Sequence, residues 1–146
     1  MVDHFRNRGA RQNVLGNHVV AFLELEHTRD GDDFSITVRY EAPSDVPVPG
    51  FAKKFMAETS VVTQTDQWNV ADKTGRLKAE IKGLPAKISA DMELVDDGDG
   101  CSNELNWNIN CSIPLVGGKV EKLIAQDIQS KAESDLEQTR AMLANY

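Results

Sequence analysis

The sequence is poor in cysteine, in aromatic side chains and in positive charge. It holds 2 cysteines, 6% aromatic residues, and 16 Lys plus Arg against 23 Asp plus Glu, so the formal charge is -7 at pH 7. Binding to nucleic acid or to an anionic membrane surface needs a positive footprint for phosphate contacts, and both are therefore disfavoured. No stretch approaches the ~18 apolar residues of a membrane span, and no signal-peptide run follows the first residues. We expect a cytoplasmic protein.

Motifs that carry chemistry are also missing. The histidines and cysteines do not have the spacing of metal ligands, and no nucleophile elbow is present. Gly117-Gly118-Lys119 precedes a helix but is followed by Val120, where a phosphate-binding loop requires Ser or Thr. We therefore predict no metal, no cofactor and no assigned catalytic residue, and we interpret the glycine pair as a tight turn.

The two cysteines are predicted to lie on one strand. At about 3.3 Å per residue, Cys101 and Cys111 would be roughly 33 Å apart, whereas a disulfide needs less than about 7 Å. We predict free, buried thiols. The length of 146 residues suits one domain over residues 1–146, which needs no disulfide to hold its core.

Period-two alternation of apolar and polar residues predicts strands through most of the chain. Turn residues separate these segments, beginning with Asp30-Gly31-Asp32, and a short helical turn is predicted over 51–56. The third segment has only a weaker, Thr/Val-rich strand signature. The predicted strands are 17–27, 34–41, 59–68, 76–82, 86–94 and 101–113.

From about Gly118 to Ala144 the period changes to 3.6, which predicts one helix of roughly 40 Å with an apolar stripe that winds around it. The predicted fold is α+β, a curved antiparallel sheet of about six strands gripping one long C-terminal helix. One helix cannot cover the whole apolar face of such a sheet. Either a cavity remains or a partner chain completes the cover.

The order of these elements resembles the helix-grip architecture of START-like (SRPBCC superfamily) domains over residues from about 14 to 146. The passage Ile113-Pro114-Leu115-Val116-Gly117-Gly118-Lys119-Val120-Glu121-Lys122-Leu123-Ile124 is similar to the strand-to-helix passage of an uncharacterised, mainly actinobacterial branch. Val46-Pro47, Phe51, Phe55 and Trp68 fit the same branch. The resemblance implies non-catalytic binding of a small apolar or amphipathic molecule, such as a lipid or a polyketide, between sheet and helix.

The sequence departs from this family at its start. Such domains usually open with a strand that pairs with the last one, and here that opening strand is expected to be missing, which makes the domain N-terminally truncated. The last strand, Cys101 to Ile113, would then have an open edge, and such edges favour pairing with another chain. We expect a homodimer through this strand, or a substitute cover from the N-terminal segment.

The predicted cavity lining combines the inward faces of the strands with the stripe of the helix. The alternative is that these side chains only fill a core. His27 is interpreted as a satisfied residue at a strand end, and Glu121 either faces the cavity or sits in the first helical turn, where the dipole favours an acid. The predicted lining is Leu23, Leu25, His27, Ile36, Val38, Tyr40, Leu77, Ile81, Ile88, Met92, Leu105, Trp107, Ile109, Glu121, Ile124, Ile128 and Leu136.

Two other function classes stay open at the level of sequence. A cyclase-type or hydrolase-type enzyme on the same fold would use one or two polar groups, with His27 and Glu121 as the candidates. An interaction protein would use the exposed sheet edge. The fold does not choose among these classes, and the sequence does not identify a ligand.

Overall fold

The computed structural model describes residues 21–44 and 47–145, apart from the side chains at positions 21, 22 and 24. The predicted beginning of the first strand at residue 17, the N-terminal segment before it and Val46 lie outside the described residues. The described elements are β1 (Ala21–Asp30), β2 (Asp33–Pro43), β3 (Thr59–Asn69), β4 (Thr74–Ile81), β5 (Ala86–Asp97), β6 (Gly100–Cys111) and α1 (Gly117–Leu143).

The strands form one antiparallel sheet of 6 strands in the order β1-β2-β3-β4-β5-β6. Each strand therefore pairs with its neighbour in sequence, which is the simplest outcome for segments joined by short turns. The predicted first turn is confirmed, because Asp30 pairs with Asp33 across a connection in which Gly31 has a φ of 58°. A glycine adopts this left-handed conformation at little cost. The predicted α+β fold, with one long helix after a curved sheet, is confirmed.

Pairing between strands determines which side chains share a face, because directly opposed residues of antiparallel strands point to the same side. We call the face turned toward α1 the inner face. Two rows of residues cross this face from β1 to β6. The first row is His27, Ile36, Asp66, Leu77, Ala90 and Trp107, and the second is Arg29, Phe34, Trp68, Gly75, Met92 and Leu105.

The predicted face of β1 is wrong. The register shifts between Glu24 and Glu26, so Leu25 lies in a bulge and the alternation reverses there. Leu23 pairs with Arg39 on the outer face and is 55% exposed, whereas His27 pairs with Ile36 on the inner face. Leu23 and Leu25 are thus not on a common inward face with His27, since one inserted residue exchanges the two sides of a strand.

The helix crosses one end of the inner face, from the end of β6 to the end of β2. Near its beginning Val120 is 0% exposed and Ile124 is 4% exposed, both within the main hydrophobic core. In its middle, Ser44 Oγ donates a hydrogen bond to Asp127 Oδ1 at 3.2 Å, and Lys131 Nζ donates to the carbonyl oxygen of Pro43 at 3.1 Å. The helix is therefore attached to the sheet near the ends of both β6 and β2.

The connection between β2 and β3 completes this core. Residues 49–56 form helical turns, since Ala52 N–H bonds to Pro49 O at 2.9 Å and Met56 N–H bonds to Ala52 O at 2.8 Å. Ala52 and Met56 are buried against the strands and the helix. The helical turn predicted over 51–56 is confirmed, and its two buried side chains cover part of the inner face that α1 does not reach.

The glycine pair before the helix has one essential member. A Cβ at Gly117 would clash with the backbone carbonyl oxygen of Cys111, whereas a Cβ at Gly118 would meet nothing within 4 Å. Gly117 is thus required because the helix begins against the end of β6, and Gly118 is not required for packing. This supports the interpretation of the pair as a tight turn.

We predict that Gly117→Ala lowers the free energy of unfolding by about 1–3 kcal/mol, the usual range for forcing atoms into a packed region. Gly118→Ala is the matched control, and it should be neutral or stabilising by up to about 1 kcal/mol because alanine favours the helix. Urea denaturation of the two variants measures both values. Equal effects of the two substitutions would contradict the close approach at Gly117.

Candidate functional site

The inner face is only partly covered. At the end crossed by α1, side chains such as Ile88 and Ile124 are buried, together with the middle of β4 and β5. Toward the other end, Phe34, Ile36 and Trp107 are half-buried, and Leu105 is 38% exposed. An apolar surface with incomplete cover therefore lies between α1 and the hairpins at the far end of the sheet.

A chain of polar side chains stands on this surface. Tyr40 Oη donates a hydrogen bond to Gln64 Oε1 at 3.0 Å, and Gln64 Nε2 donates to both carboxylate oxygens of Asp66 at 3.1 and 3.0 Å. Asp66 lies between Ile36 on β2 and Leu77 on β4, its direct cross-strand neighbours. A carboxyl group is thus held near the centre of a row whose other members, apart from His27 at its end, are apolar.

The surroundings of this polar chain are acidic. Burial raises the pKa of Asp66 above its ordinary value, and the hydrogen bond from Gln64 partly offsets that rise. Burial, together with the negative charges of Asp66, Asp135 and Asp127, raises the pKa of Tyr40 to about 12. Two of these carboxylates belong to α1, so sheet and helix both contribute negative potential to the space between them.

Gln64 and Asp66 were not among the predicted site residues. The weak, Thr/Val-rich signature of the third strand did not indicate which of its faces was inward. The available signal was Trp68, because Val62, Gln64 and Asp66 alternate in phase with it, and the structure places all four on the inner face. An aromatic residue at the end of an ambiguous strand would have identified the buried phase.

Most of the predicted lining residues do meet on one side of the sheet. Ile36, Val38, Tyr40, Leu77, Ile81, Ile88, Met92, Leu105, Trp107 and Ile109 lie on the inner face, and Ile124 and Ile128 pack against the core from α1. Leu23 and Leu25 do not join them. Leu136 is 48% exposed and is not among the side chains packed against the core.

Glu121 connects the helix to the sheet. Its Oε1 accepts a hydrogen bond of 2.7 Å from the backbone N–H of Cys111, the last residue of β6. Of the two interpretations of Glu121, the first-turn acid is wrong, because the first turn of α1 contains no acidic residue and Glu121 follows it. The carboxylate instead satisfies a backbone donor where the strand ladder stops.

The remaining predicted polar groups are only partly as expected. Both cysteines are free, but Cys101 is exposed while Cys111 is buried, so burial of both thiols is wrong. Cys101 is exposed because it begins β6, beyond the region that α1 covers. His27 occupies an inner-face position on β1, the first strand in the order of the described sheet. Its side chain is exposed.

A depression of about 540 Å³ lies at the far end of the sheet, near the β1–β2 and β3–β4 turns. Its lining combines residues of the inner-face row with residues of two outer-face rows. The inner-face residues are Phe34, Trp68 and Gly75, and the outer-face rows are Thr28, Ser35, Gln67 and Arg76, and Asp30, Asp33, Asn69 and Thr74. This depression does not correspond to the predicted apolar cavity between sheet and helix.

Comparison with known proteins places the chain in a family and supports its fold. The family described as "Protein of unknown function (DUF2505)" matches residues 3–143. No curated protein matches the chain. A solved structure from Thermus thermophilus, that of TTHA0849, matches with a TM-score of 0.59 and 18% sequence identity, covering 90% of this chain and 81% of that chain. At this identity the likeness shows a shared fold alone.

The helix of the described part of the chain does not have the apolar character that crossing a membrane requires. Its polar side instead carries residues such as Lys119, Lys122 and Glu133, which are exposed.

We predict that Asp66→Asn raises the thermal stability of the protein at neutral pH. The folded state binds the Asp66 proton more tightly than the unfolded chain does. The stability that this group contributes is therefore present at low pH and is lost as pH rises from the ordinary Asp pKa through the raised folded pKa. Ionised Asp66 thus costs stability at pH 7, and the amide removes that cost.

The comparison of melting temperatures from pH 3 to pH 8 measures this effect. The advantage of Asp66→Asn should shrink as pH falls, because Asp66 in the natural protein becomes protonated. Glu80→Gln is the control, since Glu80 is exposed on the outer side of β4. A variant at Asp66 that is less stable than the natural protein at pH 7 would contradict the account.

Proposed function

The chain belongs to the DUF2505 family, and we propose that it binds a small apolar or amphipathic molecule, such as a lipid or a polyketide, without catalysing a reaction. The ligand lies between the inner face and α1. We also infer that the family falls within the START-like superfamily, in its mainly actinobacterial branch. The helix-grip order of elements and the passage from Ile113 to Ile124 support this inference.

The observation that carries the proposal is the polar chain of Tyr40, Gln64 and Asp66 on a half-covered apolar face. Small-molecule sites are mostly apolar, with a few placed polar groups that orient the ligand. A polar chain whose last member is a desolvated carboxyl costs stability in a purely structural core. Retention of that cost is typical of functional sites, where perturbed acids concentrate.

Glu121, a candidate acid if the protein were an enzyme, makes a structural hydrogen bond instead. Glu121 accepts the backbone N–H of Cys111, so its carboxylate is occupied at the junction of β6 and α1. A proton-transfer group needs access to a substrate atom within hydrogen-bond distance. This geometry argues against a proton-transfer role for Glu121, and so it favours the binding function over the enzyme.

We predict that gently purified protein carries a small apolar molecule, which native mass spectrometry detects as a mass above that of the chain. Mild activation in the instrument should release the molecule, because its binding rests on apolar contact and a few hydrogen bonds. Repeated absence of such a molecule, together with failure to bind an added ten-carbon alcohol, would contradict the proposal.

Ile36→Asn should weaken binding of that alcohol, whereas Thr37→Asn, the next residue on the outer face, should leave it unchanged.

We propose in addition that β6 pairs with β6 of a second copy. Among residues 21–44 and 47–145, β6 has a strand partner on one side only, which is β5. Residues 101–106 of β6 are exposed, and the strand has neither lysine nor proline. Natural edge strands usually carry such residues to prevent pairing, so their lack supports a partner strand here.

We predict that Asn106→Lys shifts the protein toward the monomer in sedimentation velocity. Lysine at an edge opposes strand pairing, and in a two-fold dimer the two added charges would lie near each other. Ser89→Lys is the matched control, because it adds the same charge to the same face of β5, one strand inside the edge. A natural protein that is monomeric at all concentrations would contradict the proposed pairing.

A further inference from the structure

Within the described residues, the hydrogen bonds shown by the structure use only part of the accepting capacity of the Asp66 carboxylate. An ionised carboxylate has about four acceptor positions. Within the described part of the chain, the side chain that donates to it is Gln64, through one nitrogen that reaches both oxygens. Tyr40 fixes the orientation of the Gln64 side-chain amide. Its hydroxyl donates a hydrogen bond to Gln64 Oε1, so the amide nitrogen points toward Asp66. A bound molecule with donor groups would fill the remaining acceptor positions.

No cation of the described residues lies next to this carboxylate on the sheet. Its cross-strand neighbours are Ile36 and Leu77, and the first titratable side chain along the row is His27, about 10 Å away at two strand spacings. Lys131 on the helix is engaged by the carboxylate of Asp127 and by the carbonyl oxygen of Pro43. Within residues 21–44 and 47–145, the negative charge of Asp66 therefore has no neighbouring cation on the sheet, and a cationic ligand would balance it.

The ligand site and the acidic groups lie on the same side of the molecule. Asp127 and Asp135 of α1 are near enough to act on Tyr40, and Asp66 acts on it from the sheet. Trp107 lies in the same row as Asp66, and Phe34 and Leu105 lie in the adjoining row. Phe34 and Trp107 are half-buried and Leu105 is exposed, so this apolar surface is incompletely covered. A molecule with an apolar chain on that surface would therefore place its polar end in a negative environment.

We propose, on the basis of the function proposed above, that this site selects amphipathic molecules whose polar end donates hydrogen bonds to Asp66, and that a primary ammonium binds best. The ammonium supplies three donors and the opposite charge in a partly desolvated place, where charge-assisted bonds are strong. A hydroxyl end supplies one donor and no charge. A carboxylate end meets repulsion and is the poorest ligand.

The raised pKa of Asp66 supports this selectivity. Its main cause is burial, which disfavours the ionised form when the site holds no compensating charge. An ammonium at hydrogen-bond distance would stabilise the ionised carboxylate and so lower that pKa. Binding of an amine should accordingly become stronger as Asp66 loses its proton.

The two tryptophans of the chain give a direct readout, because Trp68 and Trp107 are both on the inner face. The probes are decylamine, decanol and decanoate, which share one chain and differ at the polar end. Titration of intrinsic fluorescence, below the concentration at which the probes aggregate, yields three dissociation constants. We expect decylamine to bind at least about tenfold more tightly than decanoate, with decanol between them.

The variant Asp66→Asn tests the residue. It should weaken decylamine binding about tenfold and change decanol binding by less than about threefold, because only the charged pair is lost. Glu80→Gln, an acid-to-amide change on the outer side of the neighbouring strand, should change neither.

The pH dependence of decylamine binding separates this role from a structural one. The affinity of the natural protein for decylamine should fall as pH is lowered through the pKa of Asp66. In Asp66→Asn this decrease should be absent, whereas any pH dependence caused by other titratable groups should remain. The charged or titratable groups that face the region are His27 and Arg29 from β1, Tyr40 from β2, and Asp127, Lys131 and Asp135 from α1.

Each outcome is decisive. Equal binding of the three probes, a preference for decanoate, or an unchanged decylamine affinity in Asp66→Asn would overturn the selectivity and leave the proposed ligand site standing. Binding of none of the probes would overturn both. Decylamine preference that depends on Asp66 and is lost at low pH would support the inference.

Discussion

One helix has to cover an apolar face that is built from 6 strands. At a strand spacing of about 4.8 Å the sheet is roughly 24 Å wide, and its longer strands extend about 40 Å. The 27 residues of α1 give a rod of about 40 Å in length but only about 10 Å in width. The helix thus covers less than half of the face, and the turns of residues 49–56 add a second, smaller cover. What stays half-covered is the space in which the account places a ligand.

The attachments of the helix determine where this space opens. Glu121 holds the beginning of α1 to the end of β6, and Lys131 holds its middle to the end of β2. Both contacts are at the same end of the sheet. Asp66 lies farther along β3, beside the buried Leu77 of β4, and is itself only partly buried. Burial in this environment raises the pKa of Asp66. Under the proposed function, stability and ligand recognition are opposed at this residue, as is common in functional sites.

The fold could be predicted from the sequence because each local pattern agreed with the others. Strict alternation in β4 to β6, acidic turns with glycine and a change of period near Gly118 define the meander and the helix closely. The prediction of individual lining residues failed where it depended on the strand register or on how far the packed part of the helix extends. The bulge at Leu25 reversed one face of β1, which no alternation can reveal, and Leu136 continued the helical stripe at a position that is 48% exposed. Asp66 was missed for another reason, since a polar residue at an inward position is a violation of the pattern on which the prediction rests.

The central claim is that Asp66 is a desolvated carboxyl group on the inner face, with no cation of the described chain beside it. The most direct test is carbon-13 NMR titration of the aspartate carboxyl groups, with the Asp66 signal assigned through Asp66→Asn. The account predicts that the pKa of Asp66 in the free protein lies above the ordinary Asp value. A pKa at or below that ordinary value would show that the group is solvated or already paired, and the account of the site would be wrong.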